Sequence, residues 1–210
     1  MSGIRRGRLA GLAVLVALLQ ACATAPQVSD HPAAERRYVE RQSRLQAVEQ
    51  WTVEGRLAIR DGEDGGSGKL RWQAGPGGDR LDFHGALGRG AWRLLVEPEE
   101  AVLTLADGSV YRASSVDRLV VEQIGWPVPV AELSWWIRGL AAPGERARRS
   151  LGETGVLLEL HQAGWTIEFD RYRAVGEELM PGFMNAQRGD RRVRFVVGDW
   201  TLSGEAAGDG

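Results

Sequence analysis

Three observations in the 210-residue sequence predict a mainly β protein with helices, an α+β fold built on one antiparallel sheet of about ten or eleven strands. Apolar and polar residues alternate over most of the chain, glycine-rich turns separate the alternating runs, and only three stretches carry helical spacing. The length suits one domain. A content of 43% hydrophobic and 26% charged residues excludes wholesale disorder. The 28 Gly imply many turns, and the 8 Trp imply large amphipathic surfaces to bury.

The first segment reads as an address. Arg5, Arg6 and Arg8 precede an apolar run of eleven residues, Leu9 to Leu19. A bilayer needs about 20 apolar residues to be spanned, so residues 1–21 read as a secretory signal peptide. Two processing sites compete. Ala23-Thr24-Ala25 has the A-x-A form, and cleavage there would discard Cys22. Leu19-Gln20-Ala21-Cys22 resembles a bacterial lipobox, which would make Cys22 the lipidated N-terminus of the mature chain. The lipobox is favoured because the only Cys stands directly behind the apolar core and a small residue. Two acyl chains already anchor stably, so three would hold the protein firmly. Ala rather than Asp at position 23 points, by resemblance to bacterial lipoproteins, to the outer membrane.

Residues 22–31 are small, polar and Pro-containing, a lipidated tether. Ser29 or Asp30 then caps a helix over 32–48, with Pro32 in its first turn and a Glu40–Arg44 pair at i,i+4. Its apolar stripe, Tyr38, Leu45 and Val48, is thin, which predicts a helix lying on a surface. From Trp51 the period becomes two. The inward set is Trp51, Val53, Leu57 and Ile59, then Leu70 and Trp72, Leu81 and Phe83, and Trp92, Leu94 and Val96. Shorter strands follow at 102–105 and 110–111, and later ones around 156–160, 165–169, 182–187, 193–197 and 200–202. Two helices interrupt the sheet. Ser114 or Ser115 starts the first, with Asp117 placed like a capping-box acid, and Gly125 ends it. The second follows Trp126-Pro127-Val128-Pro129 and runs to Gly139; Trp135 points away from its apolar arc. Residues 32–203 form the single domain, and 204–210 (GEAAGDG) a disordered tail.

Several function classes find no residues to carry them. Beyond the signal segment, 23 basic residues face 28 acidic ones, a net −5 that does not indicate a nucleic-acid face. One Cys excludes an internal disulfide and a cysteine-rich zinc site. Asp82 and His84 share a strand face, but no nucleophile motif accompanies them, so no catalytic residue is assigned. The run from Asp61 to Gly68 lacks calcium-loop spacing and reads as a flexible hairpin loop. Arg146, Arg148 and Arg149 read as a solvated loop, with an anionic lipid or acidic partner as the alternative. No metal and no cofactor are predicted. In Gly85-Ala86-Leu87-Gly88-Arg89-Gly90, Leu87 stands at the tip of a loop between two apolar strands. It either folds back on the sheet or is exposed as a probe for a membrane or partner.

The order of elements and several local sequences resemble the LolB family of outer-membrane lipoproteins. The matching pieces run from Trp51 to Ile59, with Leu70-Arg71-Trp72-Gln73, Ala86-Leu87-Gly88, Trp126 to Pro129, Trp136 to Leu140, Leu179-Met180-Pro181 and Asp199-Trp200. The resemblance implies an open half barrel lidded by helices around an apolar cavity. It implies acceptance of client lipoproteins from the periplasmic carrier LolA and their insertion into the outer membrane, by a monomer held at the inner leaflet. It also implies that Leu87 is the membrane-insertion residue. The apolar candidates for the cavity wall are Trp72, Phe83, Trp92, Leu94, Leu105, Trp136, Ile137 and Trp165. The rival class is a structural or assembly lipoprotein that binds protein partners and no lipid.

Overall fold

The computed structural model describes residues 32–86 and 90–203. Helix α1 (Pro32–Ala47) is followed by the meander β1 (Gln50–Asp61), β2 (Asp64–Gly75), β3 (Gly78–Gly85), β4 (Trp92–Val96), β5 (Ala101–Leu105) and β6 (Val110–Ala113). Helices α2 (Val116–Ile124) and α3 (Val130–Trp136) come next. The second set of strands is β7 (Arg148–Leu151), β8 (Leu157–Gln162), β9 (Trp165–Asp170), β10 (Arg173–Val175), β11 (Glu178–Met180), β12 (Phe183–Arg188) and β13 (Arg191–Ser203). Eleven of these strands form one antiparallel sheet, ordered β6-β5-β4-β3-β2-β1-β13-β12-β9-β8-β7, and β10 and β11 form a separate hairpin. The edges β6 and β7 do not meet, so the sheet is open, and the helices cover its inner face. A pocket at one end of the sheet, between the sheet and the end of α2, is described below.

The period-two pattern sets which face is inner. Val53, Leu57, Leu70, Trp72, Leu81, Leu94, Leu103, Ile167, Phe195 and their in-phase neighbours are buried in one core, while the intervening residues face outward. β13 is one strand of 13 residues where two were expected. A register shift opposite Glu54 and Gly55 lets it continue past Gly198.

Several local expectations give way to tertiary contacts. The run from Asp64 to Gly68 is strand, not flexible loop, because it pairs residue by residue with Asp61 to Leu57. Arg148 and Arg149 belong to the edge strand β7. The Arg149 guanidinium pairs with Glu35 of α1 and lies 4.7 Å from the Tyr38 ring centre. Helix α1 does not lie loosely on a surface. Ala34, Tyr38, Arg41 and Leu45, at i, i+4, i+7 and i+11, are all buried, and the stripe looked thin because one of its members is an arginine. Arg44 pairs with Glu178 of β11, not with Glu40.

The α2 boundaries agree with the sequence. The Ser115 hydroxyl accepts the Arg118 N–H at 3.4 Å, and Gly125 closes the helix at φ 75°. Asp117 is not a capping-box acid: it accepts the Val130 N–H at 2.8 Å and so ties the start of α3 to α2. Helix α3 ends at Trp136, earlier than predicted, and Gly139 turns the chain at φ 69°. Trp135 is not unsatisfied, for the Arg138 guanidinium lies 4.8 Å from its ring centre.

Candidate functional site

One end of the sheet gathers the ends of β1, β3 and β5 and the starts of β2 and β4, and this end carries a pocket of about 570 Å³. That volume lies in the range of about 300–1,000 Å³ usual for small-molecule sites. Phe83, Trp92 and Leu105 form its wall from the sheet, and Ile124 and Trp126, at the end of α2, form the opposite side. Gly85 and Gly90 stand on its rim and bracket the segment that carries Leu87, a residue outside those described. Cys22, the candidate lipidation site, also lies outside them, as do the signal peptide, the tether and the tail.

The pocket exists because inward positions at this end carry no side chain. On β2 the inward series is Gly66, Gly68, Leu70, Trp72; on β3 it is Leu81, Phe83, Gly85. A Cβ on Gly68 would sit 2.6 Å from the Phe83 ring and 2.2 Å from the His84 carbonyl oxygen. One on Gly66 would sit 3.1 Å from the Trp126 ring. Glycine therefore lets the aromatic rings lie against the strand backbone. Phe83 and Trp92 stack with centroids 5.1 Å apart. Trp126 meets both edge-on, at 5.0 and 5.7 Å. The Trp92 indole nitrogen is buried without a partner among the described residues.

The remaining cavity candidates sit elsewhere. Trp72, Leu94 and Trp165 from the sheet and Trp136 and Ile137 at the end of α3 pack on the same core side as Phe83, Trp92 and Leu105, but they are 0–2% exposed and form a closed layer. This layer is fixed by polar bonds as well as packing. The Trp72 indole N–H donates to Asp79 Oδ2 at 2.9 Å, and the Trp136 N–H donates to Gln162 Oε1 at 2.9 Å. Gln162, itself buried, donates in turn to the Ala142 carbonyl at 2.7 Å. Three of the eight candidates thus line a pocket and five form the closed core behind it. Sequence reasoning missed Gly66, Ile124 and Trp126 as pocket residues. The signal was present, since glycines occupied inward phases of strands whose other inward residues are large.

Two buried arginines close the opposite side. Arg41 is 3% exposed and donates to the carbonyl oxygens of Gly139 (2.9 Å), Arg138 (2.9 Å) and Leu179 (2.7 Å). Arg138 donates to the Leu45 and Ser134 carbonyls and lies between the rings of Trp51 and Trp135. Burial lowers the pKa of both guanidiniums, and the nearby Asp79 carboxylate partly offsets this at Arg138. Burial in turn raises the Asp79 carboxyl above its ordinary range, opposed by the Trp72 hydrogen bond. Asp82 behaves oppositely. Partial burial would raise it, but hydrogen bonds from Arg80 and Arg93 hold it below the usual carboxylate range. With both its oxygens engaged by arginines, Asp82 does not form the acid–base pair that its spacing from His84 suggested. Among the described residues no group of three His, Cys, Asp or Glu side chains could hold a metal ion, and no helix is long and apolar enough to cross a membrane.

The profile of the family described as "Outer membrane lipoprotein LolB" matches residues 49–200. The outer-membrane lipoprotein LolB of Alkalilimnicola ehrlichii is 39% identical over 203 residues, which cover 95% of this chain and 100% of that relative. The chain belongs to the LolB family. Its LolB relative in Pseudomonas aeruginosa is 34% identical over 197 residues, 93% of this chain and 96% of the relative. Membership places the protein among lipid-anchored lipoproteins of the bacterial outer membrane that serve lipoprotein localisation. Among solved structures, a Vibrio parahaemolyticus domain described as an outer membrane lipoprotein-sorting protein superposes with a TM-score of 0.53 at 12% identity. It covers 81% of this chain and 92% of its own. A DUF1329 family protein from Desulfovibrio piger superposes with a TM-score of 0.50 at 9% identity, covering 83% of this chain and 94% of its own. At these identities the likeness is one of fold, an open sheet with helices on its inner face.

Proposed function

We propose that this LolB-family protein takes the acyl chains of client lipoproteins into the pocket between Phe83, Trp92, Leu105, Ile124 and Trp126, and passes them to the outer membrane. The observation that carries this reading is an apolar hollow opening beside the Leu87 segment in a family of outer-membrane lipoproteins. Each methylene exposed to water costs about 0.8 kcal/mol, so releasing one chain of roughly 15 methylenes would cost on the order of 12 kcal/mol. Hand-over between two apolar pockets avoids that barrier and needs no nucleotide, only a receiver that binds more favourably than the donor. The donor in this reading is the periplasmic carrier LolA, and the receiver acts as a monomer at the inner leaflet. Chains that reach beyond the pocket must displace the closed layer, and α3 is the element placed to yield. It has seven residues and is held at its start by Asp117 and at its end by the Trp136–Gln162 bond.

Filling the pocket tests the proposal. Ile124→Trp should lower the affinity for a fluorescent fatty acid by about tenfold or more, since the ligand loses apolar area that the indole now occupies. The same variant should keep its melting temperature within a few degrees, because Ile124 is not part of the closed layer. Undiminished fatty-acid binding would remove the pocket from the reading. No binding by the wild type would favour the assembly lipoprotein instead.

The anchor is tested separately. Mass spectrometry of the mature N-terminus should find it at Cys22 with lipid attached, and Cys22→Ala should abolish that modification and release the protein from membranes. An unmodified peptide beginning at Pro26 would show cleavage after Ala25.

A further inference from the structure

We infer that the outer face of the sheet beside the pocket mouth is a docking surface for the phosphate headgroups of anionic phospholipids. The inference rests on the delivery role just proposed and adds how the mouth is turned toward the bilayer. Outward positions of the three central strands bring five cations together: Lys69 on β2, Arg56 and Arg60 on β1, and Arg192 and Arg194 on β13. All five are exposed. In the register, Arg56 stands opposite Lys69, and Arg60 opposite Arg192. Like charges facing each other across a strand pair repel, and among the described residues none of the five forms an ion pair.

Neighbouring positions of the same face show the contrast. Arg71 pairs with Glu54, and Arg80 and Arg93 pair with Asp82. In the cluster, Arg192 donates only to Gln187 Oε1 at 3.2 Å, and Arg194 lies 5.8 Å from the Phe183 ring centre. Arg60, Arg192 and Arg194 line a groove of about 530 Å³ together with Ser67, and the acids Glu63 and Asp64 stand at its turn.

Location decides the partner. The groove and the apolar pocket share Gly65, Gly66 and Ser67, so the start of β2 is a wall with the pocket on one side and the cations on the other. A mouth that delivers acyl chains must approach the leaflet, and the body is otherwise acidic, with net −5 beyond the signal segment. On a body whose charge sums to acidic, this cluster is a concentrated source of attraction to an anionic surface, and it stands beside the mouth. Guanidinium groups suit this role because they bind phosphate oxygens in pairs. A lipid at Cys22 is ten residues from Pro32, a reach of at most about 35 Å, which keeps the body within that distance of the leaflet.

The test uses the lipid-anchored protein. Cys22 is the only native cysteine and carries the lipid in this reading, so Ser67→Cys supplies a single thiol for an environment-sensitive fluorophore. On vesicles containing phosphatidylglycerol the label should report lipid contact. It should not do so on pure phosphatidylcholine, nor in about 1 M salt, where screening acts within about 3 Å. Each surface-adjacent cation changes partitioning about fivefold, so Arg60→Gln, Arg192→Gln and Arg194→Gln together should weaken docking on the order of 100-fold. Thermal melting of the triple variant should be unchanged or improved, since a repelling pair is removed.

Equal contact on neutral vesicles, or contact that survives in the triple variant, overturns the inference. So does a label that responds to inorganic phosphate without vesicles, or a triple variant that keeps lipid contact but loses uptake from the carrier, which marks a protein-docking face. Fatty-acid binding is read on the same samples. Its loss strikes the acyl-transfer reading and leaves the headgroup result standing.

Discussion

Arg41→Ala is expected to destabilise the protein by about 3–5 kcal/mol, because three buried carbonyl oxygens each lose a charged donor at about 1–3 kcal/mol apiece. The side chain donates to three carbonyl oxygens, at Gly139, Arg138 and Leu179. Alanine leaves those acceptors without this donor in a buried setting and removes the packing of the guanidinium near the Tyr172 ring. At about 2–4 °C per kcal/mol for a domain of this size, the melting temperature should fall by about 10 °C or more. Arg41→Lys should recover less than half of the loss, because an ammonium cannot reach carbonyls on both α3's trailing turn and β11 with one planar fork. The consequence reaches function, since α1 connects the tether to the body. With Arg41 gone, the helix keeps the Arg44–Glu178 pair and the Arg138 bond to Leu45, but loses three of its bonds to the turn after α3 and the β10–β11 hairpin. A melting temperature unchanged within a few degrees would show that α1 is held by its apolar contacts and its other polar bonds, without need of Arg41.

Leu87→Glu is expected to separate acceptance from delivery. In the acyl-transfer reading Leu87 is the insertion residue, and Gly85 and Gly90 on the pocket rim bracket its segment. A Leu side chain transferred from water to an apolar phase contributes about 2 kcal/mol, so its loss should slow insertion into a bilayer on the order of 30-fold, and a carboxylate in the acyl region slows it further. Uptake from the carrier should persist, because the pocket walls are untouched. Thermal stability should be nearly unchanged. A Leu folded into the core would instead lose about 2 kcal/mol or more on the same substitution, and a large drop in melting temperature would identify that case. Normal insertion by a stable variant would remove the segment from delivery.

Both predictions depend on residues whose surroundings differ in how far they could be read from sequence. The strand faces were legible because period-two alternation is local: Trp72, Leu81, Phe83 and Leu94 announce their face within five or six residues of chain. The ends of α2 were legible for the same reason, since Ser115 and Gly125 act within a turn of where they stand. The glycines at 66 and 68 were misread as a loop, because composition outweighed phase. Pairing with β1 makes both positions strand, and the rings of Phe83 and Trp126 lie against them, with Gly66 at the pocket wall.

Sequence by itself determined the alternating sheet, the order of elements and, through matching local motifs, membership of the LolB family. Tertiary structure decided which of the eight apolar candidates face open space, because packing depends on side chains brought together from distant strands. It placed Arg41 in the interior, where its three acceptors lie 97 to 138 positions further along the chain. It also assembled Arg56, Arg60, Lys69, Arg192 and Arg194 into one outer patch on a chain whose overall balance is acidic. Net charge is a sum over the chain and carries no positions. Register between strands more than 130 residues apart is what turns scattered arginines into a surface.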